Sequence, residues 1–189
     1  GMLGTVPRDL PQTIGFVLVP GFSMIAFTST VETMRLANRL ANKPLYRWPL
    51  FSPDGGPVAA SNNIALTPDG DLDQASQLST IAICGGQGVH RAVDRGFISW
   101  LRRMDRSGAD IGAICTGSYL LARAGLLDGY HCTIHWEQLA GFAEEFPDIE
   151  VTTELFEIDR QRFTCAGGSA GIDMMLNVTV LHGDHVEHH

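Results

Sequence analysis

The chain has 189 residues, 44% of them hydrophobic, which is enough for one domain with a buried core and too little for two comfortable ones. Its formal net charge is -8 and its 13 basic residues form no dense run, so this segment alone is not expected to hold a phosphate backbone. No apolar stretch approaches a membrane span, Gly1–Pro11 lacks the charged-then-apolar order of a signal peptide, and Gly1 before Met2 reads as a tag scar within a flexible N-terminus, residues 1–12.

Thr13–Val19 is an apolar run that reads as a buried strand, broken by Pro20-Gly21. Apolar residues at helical spacing (Ile25, Met34, Leu36, Ala37, Leu40) predict a helix over Ser23–Ala41, completing a first βα unit. Tyr46–Phe51 is the second strand. The turn signals Gly55-Gly56-Pro57 and Asn62-Asn63 flank a short hairpin, Val58–Ser61 with Ile64–Leu66. Thr80–Cys84 is a third core strand, and helix Val93–Arg106 leads into strand Asp110–Ile114, which runs without a spacer into Cys115 and another helix. A loop at Gly125–Gly129, a strand at His131–Thr133 and a helix over Trp136–Phe146 follow. Two short strands near Leu155–Ile158 and Phe163–Cys165 precede a closing helix, Ser169–Leu181, opened by Gly167-Gly168. Strands alternating with helical patterns in this way predict an α/β domain with a mostly parallel sheet.

In open α/β sheets the ligand crevice lies beyond the carboxyl ends of the strands, where the strand order reverses. Three loops leave such ends: Pro20–Phe27, Gly85-Gly86-Gln87-Gly88, and the Cys115-Thr116-Gly117 turn. The sharp strand-to-helix corner at Cys115 is expected to strain the backbone, display the thiol at the cleft mouth, and place its amide where anions are favoured. That geometry serves chemistry or recognition alike. The Gly85–Gly88 loop is an ordinary tight turn or, with the Cys115 or Thr116 amide, a two-sided nest for negative charge. His135 is either a partner for the Cys115 thiol or a structural hydrogen bonder. Cys84, Cys132 and Cys165 read as buried packers, and with no C-x-x-C spacing neither a zinc site, a disulfide framework nor any cofactor is expected, which fits a reducing cytoplasm.

Trp136, Phe22, Tyr119 and Phe156 stand on or near the loops of the crevice; most aromatics are core, but Trp136 facing the pocket would offer a surface to a cationic group, with Glu137 or Glu32 as counter-charge. Arg102, Arg103 and Arg106 form a solvated helix face. The histidines at 182, 185, 188 and 189 read as a tail over 182–189, and Asn177-Val178-Thr179 matches a glycosylation sequon without consequence in a helix.

With these segments in place the chain resembles the ThiJ/PfpI group of the class I glutamine amidotransferase-like fold and, more narrowly, the sensor half of AraC-type (GlxA-like) transcriptional regulators. The likeness is carried by Val19-Pro20-Gly21-Phe22-Ser23-Met24, Glu32-Thr33-Met34-Arg35-Leu36-Ala37-Asn38, Pro44-Leu45-Tyr46-Arg47-Trp48, Cys84-Gly85-Gly86, Cys115 through Gly129, Thr133-Ile134-His135-Trp136-Glu137, Phe156-Glu157-Ile158-Asp159-Arg160 and Cys165-Ala166-Gly167-Gly168. It implies a flavodoxin-like three-layer sandwich with helices on both faces and a strand-Cys-helix nucleophile elbow, over a sensing domain spanning 13–181. Enzymatic relatives carry a carboxylate in the first loop, where this chain has Ala26, which cannot transfer a proton. Regulators of this type bind DNA through a C-terminal pair of helix-turn-helix units, and no such pattern follows Leu181.

The resulting expectation is a non-catalytic domain that binds a small nitrogenous carboxylate metabolite, an amino acid, carnitine or betaine-like compound, through Phe22, Gly86, Gln87, Cys115, Thr116, His135 and Trp136. It would act as a cytoplasmic homodimer, away from membranes, and reach DNA only through the missing helix-turn-helix domain. The competing readings are a cysteine-dependent hydrolase, lyase or hydratase using Cys115, His135 and Thr116, and a dimerisation module with a vestigial pocket.

Overall fold

The computed structural model describes residues 10–135 and 138–177. Its centre is a six-stranded sheet built from β2 (Gly15–Leu18), β4 (Leu50–Phe51), β7 (Thr80–Cys84), β8 (Asp110–Ile114), β12 (Arg162–Cys165) and β11 (Phe156–Asp159), in the spatial order β11-β12-β8-β7-β2-β4. Every neighbouring pair is parallel except β11 with β12, which is antiparallel. Omitting that hairpin edge, the order from β4 to β12 is the doubly wound one, second-first-third-fourth-fifth, and the reversal falls between β2 and β7.

Strand alternation divides the core into two layers. Val17 of β2, Ile81 and Ile83 of β7, and Ile111 and Ala113 of β8 pack with α3 (Arg95–Arg106), α4 (Gly117–Arg123) and α5 (Leu139–Glu145). Phe16 and Leu18, Ala82 and Cys84, Ile114, and Phe163 and Cys165 face the other way, onto α1 (Met24–Ala41) and a final helix, α6, whose described residues are 170–177. Helices therefore cover both faces of the sheet. Gly112 is required in β8 because a Cβ there would lie 2.0 Å from the ring of Phe163 on the adjacent strand.

Local signals set most boundaries. Ser23 caps α1, its Oγ accepting from the Ala26 amide at 3.3 Å, and Asn42 ends it in the left-handed region at φ 54. Asp94 caps α3 by accepting from the Phe97 amide, so that helix starts at Arg95 and not at Val93. The expected strand Thr13–Val19 is interrupted: β1 (Gln12–Thr13) pairs with β3 (Tyr46–Arg47) in a separate two-stranded ladder. Pro49 is the cause, since it accepts from Phe16 N–H at 2.9 Å but has no N–H to return. Tyr46–Phe51 is divided at the same place.

The hairpin is present as β5 (Val58–Ala59) and β6 (Ala65–Leu66), shorter than expected at each end. Three elements have no counterpart in the sequence: α2 (Leu72–Ala75), closed by a capping box between Asp71 and Gln74, the 3-10 turn Val89–Arg91, and β10 (Glu150–Val151). The strand expected at His131–Thr133 is β9 (His131–Cys132), and it pairs with β10 outside the main sheet. Of the helix expected over Trp136–Phe146 the described part is α5, and positions 178–181 of the last helix, like the histidine tail, the residues of the scar and the end of the sequon, lie outside the described residues. Among the described residues no helix is long and apolar enough to cross a membrane.

Candidate functional site

The three loops meet beyond the carboxyl ends of β2, β7 and β8, at the reversal of strand order. Their approach is backbone to backbone. Gln87 N–H donates to the Gly21 carbonyl and Ser23 N–H to the Gly85 carbonyl, each at 3.0 Å, so the first and second loops form an antiparallel bridge centred on Phe22 and Gly86. Glycine is needed on both sides: a Cβ on Gly21, whose φ is +84, would lie 2.4 Å from the Gln87 oxygen, and one on Gly86 2.1 Å from the Gly21 oxygen. The second and third loops touch as closely, with a Cβ on Gly85 falling 2.5 Å from the Gly117 nitrogen. Thr116 Oγ1 donates to the Gly86 carbonyl at 2.7 Å and locks that contact.

Cys115 follows β8 directly at φ 60, a left-handed conformation that a residue with a side chain adopts only under constraint. The expected strain is present. The expected exposure is not: Cys115 is 6% exposed, because the loop after β12 folds over it and a Cβ on Gly167 would lie 3.1 Å from its Sγ. Its amide is also occupied, donating to the Cys165 carbonyl at 3.0 Å. The neighbouring thiols are buried as expected, and burial pushes those of Cys132 and Cys165 up to about 12.

Among the amides proposed for an anion, those of Gln87 and Cys115 are thus engaged internally, whereas no acceptor meets the Gly86 or Thr116 amide among the described residues. Phe22 is not on a rim: its ring is buried and packs edge-on against Phe27 at 6.0 Å, so the loop contributes backbone while the side chain anchors it to the core. Phe156 is half-buried against that same apolar layer. Ala26 is fully buried in the first turn of α1 and brings only a methyl group. Glu32 lies on the exposed side of α1, ion-paired with Arg35. His135 is half-buried just after Ile134; the segment is held to α4 by Ser118 Oγ donating to the Thr133 carbonyl at 2.8 Å. Trp136 and Glu137 lie outside the described residues.

Next to Thr116 opens a cavity of about 80 Å3, lined among others by Val89, His90, Tyr119, Phe142 and Glu145. Of these only Tyr119 was a candidate in the sequence. The others come from a 3-10 turn, Val89–Arg91, and from α5, elements brought to α4 by the folding of the sheet. Phe142 and Glu145 are one helical turn apart, so their shared face was legible, but nothing local says what that face meets. Among the described residues no group of three or more His, Cys, Asp or Glu is placed to hold a metal ion.

The DJ-1/PfpI family model matches residues 13–180. An HTH-type transcriptional regulator of Pseudomonas aeruginosa, GbdR, is 48% identical over 176 residues, 93% of this chain and 48% of that protein. A second from the same organism, CdhR, is 47% identical over 169 residues, 89% of this chain and 50% of that protein. The chain thus spans about half the length of these curated relatives. The crystal structure of an AraC family transcriptional regulator from Pseudomonas putida superposes with a TM-score of 0.82 at 26% identity, over 94% of this chain and 98% of that one.

Proposed function

This chain belongs to the DJ-1/PfpI family, and on that premise we propose that residues 13–181 are the effector-sensing domain of an AraC-type transcriptional regulator. The effector is a small nitrogenous carboxylate metabolite of the amino acid, carnitine or betaine class. Its carboxylate is received by the Gly86 and Thr116 amides, beside Gln87, Cys115 and His135, while its cationic end meets aromatic surface, for which the sequence offers Trp136. Phe22 serves this site by fixing the loop that carries it. The domain works in the cytoplasm as a homodimer, and DNA is bound by a helix-turn-helix region outside this chain.

The observation that carries the reading is the meeting of three loops at the reversal of strand order, where among the described residues the Gly86 and Thr116 amides meet no acceptor and the first turn of α1 supplies Ala26 in place of an acid. A strained Cys115 in that corner has the position of an elbow nucleophile, but its sulfur is covered by Gly167 and no carboxylate stands at residue 26 to move a proton. Binding without turnover follows.

The test is a thermal-shift and calorimetric screen of amino acids, carnitine and betaines against the folded chain. A binder at about 100 times its Kd raises stability by about 2.7 kcal/mol, readily seen as a shift in melting temperature. No binder at millimolar concentration refutes the sensor. Turnover of any of these compounds that disappears in Cys115→Ser would replace it with the cysteine-dependent hydrolase, lyase or hydratase.

A further inference from the structure

The cavity beside Thr116 has a composition that the carboxylate seat does not explain. Its walls carry the Tyr119 and Phe142 rings, both buried, and at its mouth stands the exposed carboxylate of Glu145. Tyr119 Oη donates to Glu145 Oε1 at 2.9 Å, which holds the carboxylate against the aromatic wall and leaves its second oxygen free of that bond. The imidazole of His90, tilted by 44° with its centroid 4.2 Å from that of the Tyr119 ring, completes the wall. No lysine or arginine is among the described residues that line the space; Arg123, whose charge is felt at the Tyr119 phenol, reaches the His90 carbonyl at 3.5 Å.

Aromatic faces with one adjacent carboxylate attract an organic cation, most strongly when it is desolvated. Size narrows the class. The 80 Å3 here is about half of the roughly 150 Å3 void that admits a benzene, so the cavity receives one end of a metabolite and not the whole.

We infer that this cavity, in place of the Trp136 face that the sequence offers, is the seat of the ammonium head of the effector, with Glu145 and the Tyr119 ring as the residues that select a cation. The inference rests on the carboxylate seat at Gly86 and Thr116 for the other end of the molecule, and the two are separable. Three probes are titrated calorimetrically into this chain: glycine betaine, its isostere with an uncharged head, tert-butylacetate, and tetramethylammonium, which has no carboxylate. Wild type is expected to bind betaine at least about tenfold more tightly than tert-butylacetate. Glu145→Gln, an exposed change whose folding is checked by an unaltered melting temperature, is expected to abolish most of that preference while leaving tert-butylacetate unaffected; Tyr119→Leu is expected to do the same.

Betaine and tetramethylammonium binding with equal affinity, both weakened by Glu145→Gln, would support the cavity and remove the carboxylate seat. Three outcomes overturn the cavity: betaine bound equally by wild type and Glu145→Gln, no discrimination between betaine and tert-butylacetate, or no binding of either cation by folded wild type at about 50 mM.

Discussion

Gly86→Ala measures how tightly the loops after β2 and β7 are pressed together. A Cβ at this position would lie 2.1 Å from the Gly21 oxygen and 2.8 Å from both the Phe22 carbonyl carbon and the Ser23 nitrogen, all backbone atoms that no rotamer change can move. Relief requires the loops to separate, which stretches the bonds from Gln87 N–H to the Gly21 carbonyl and from Ser23 N–H to the Gly85 carbonyl. Overpacking costs about 1–3 kcal/mol and each lost bond about 1 kcal/mol, so the expected loss is about 4 kcal/mol. In a chain of this size that lowers the melting temperature by about 10 °C. Gly88→Ala is the comparison: its φ is +68 but nothing lies within 4 Å of its Cβ, so it meets left-handed strain alone. That strain is about 1 kcal/mol. Denaturant unfolding followed by circular dichroism reads both variants. If Gly86→Ala is no less stable than Gly88→Ala, the close approach of the loops is wrong.

Arg162 is 3% exposed in its side chain, donates from Nε to the Leu126 carbonyl at 2.8 Å and pairs with Asp105, which is 38% exposed. Arg162→Met strands the carbonyl and is expected to cost about 2–4 kcal/mol, whereas Asp105→Asn, at a partly hydrated partner, costs about 1 kcal/mol or less; equal losses on unfolding in urea would show that the ion pair and not the buried hydrogen bond sets the cost. Gly112→Ala drives a methyl group into the Phe163 ring, so its penalty should fall by more than about 1 kcal/mol in a Phe163→Leu background, and additive penalties would contradict the contact. Burial holds the Cys132 and Cys165 thiols up to about 12 against an ordinary 9.0, so the native state keeps protons that the unfolded chain releases. Their contribution is complete below pH 9 and is lost as pH rises towards 12, so the denaturant midpoint should fall over that window and fall less in Cys165→Ala; a flat alkaline profile would contradict their burial.

Strand and helix positions were legible where the local pattern is strong. Thr80–Cys84 and Asp110–Ile114 are continuous apolar runs bounded by turn residues, and the structure gives them those same limits. Among the short elements β9 and the β5–β6 hairpin were legible, whereas β10 was not, because its two residues carry no pattern of their own and form a strand by pairing with β9. The candidate site was legible as loops: Gly21, Gly85 and Gly86 declare a close backbone approach, and Cys115 declares a corner. Which amides stay open was not, since Gln87 and Cys115 spend theirs on Gly21 and Cys165, residues distant in sequence.

The order of residues alone determined an α/β domain, its main strands and the loops that leave them, because periodicity and glycine placement act within a few residues. Tertiary packing alone decided that the Cys115 sulfur lies under Gly167, that Phe22 turns into the core, and that His90, Tyr119 and Glu145 share one cavity. The first and last of these depend on contacts across 25 or more positions, and the geometry of all three is set by how the sheet and its helices stack.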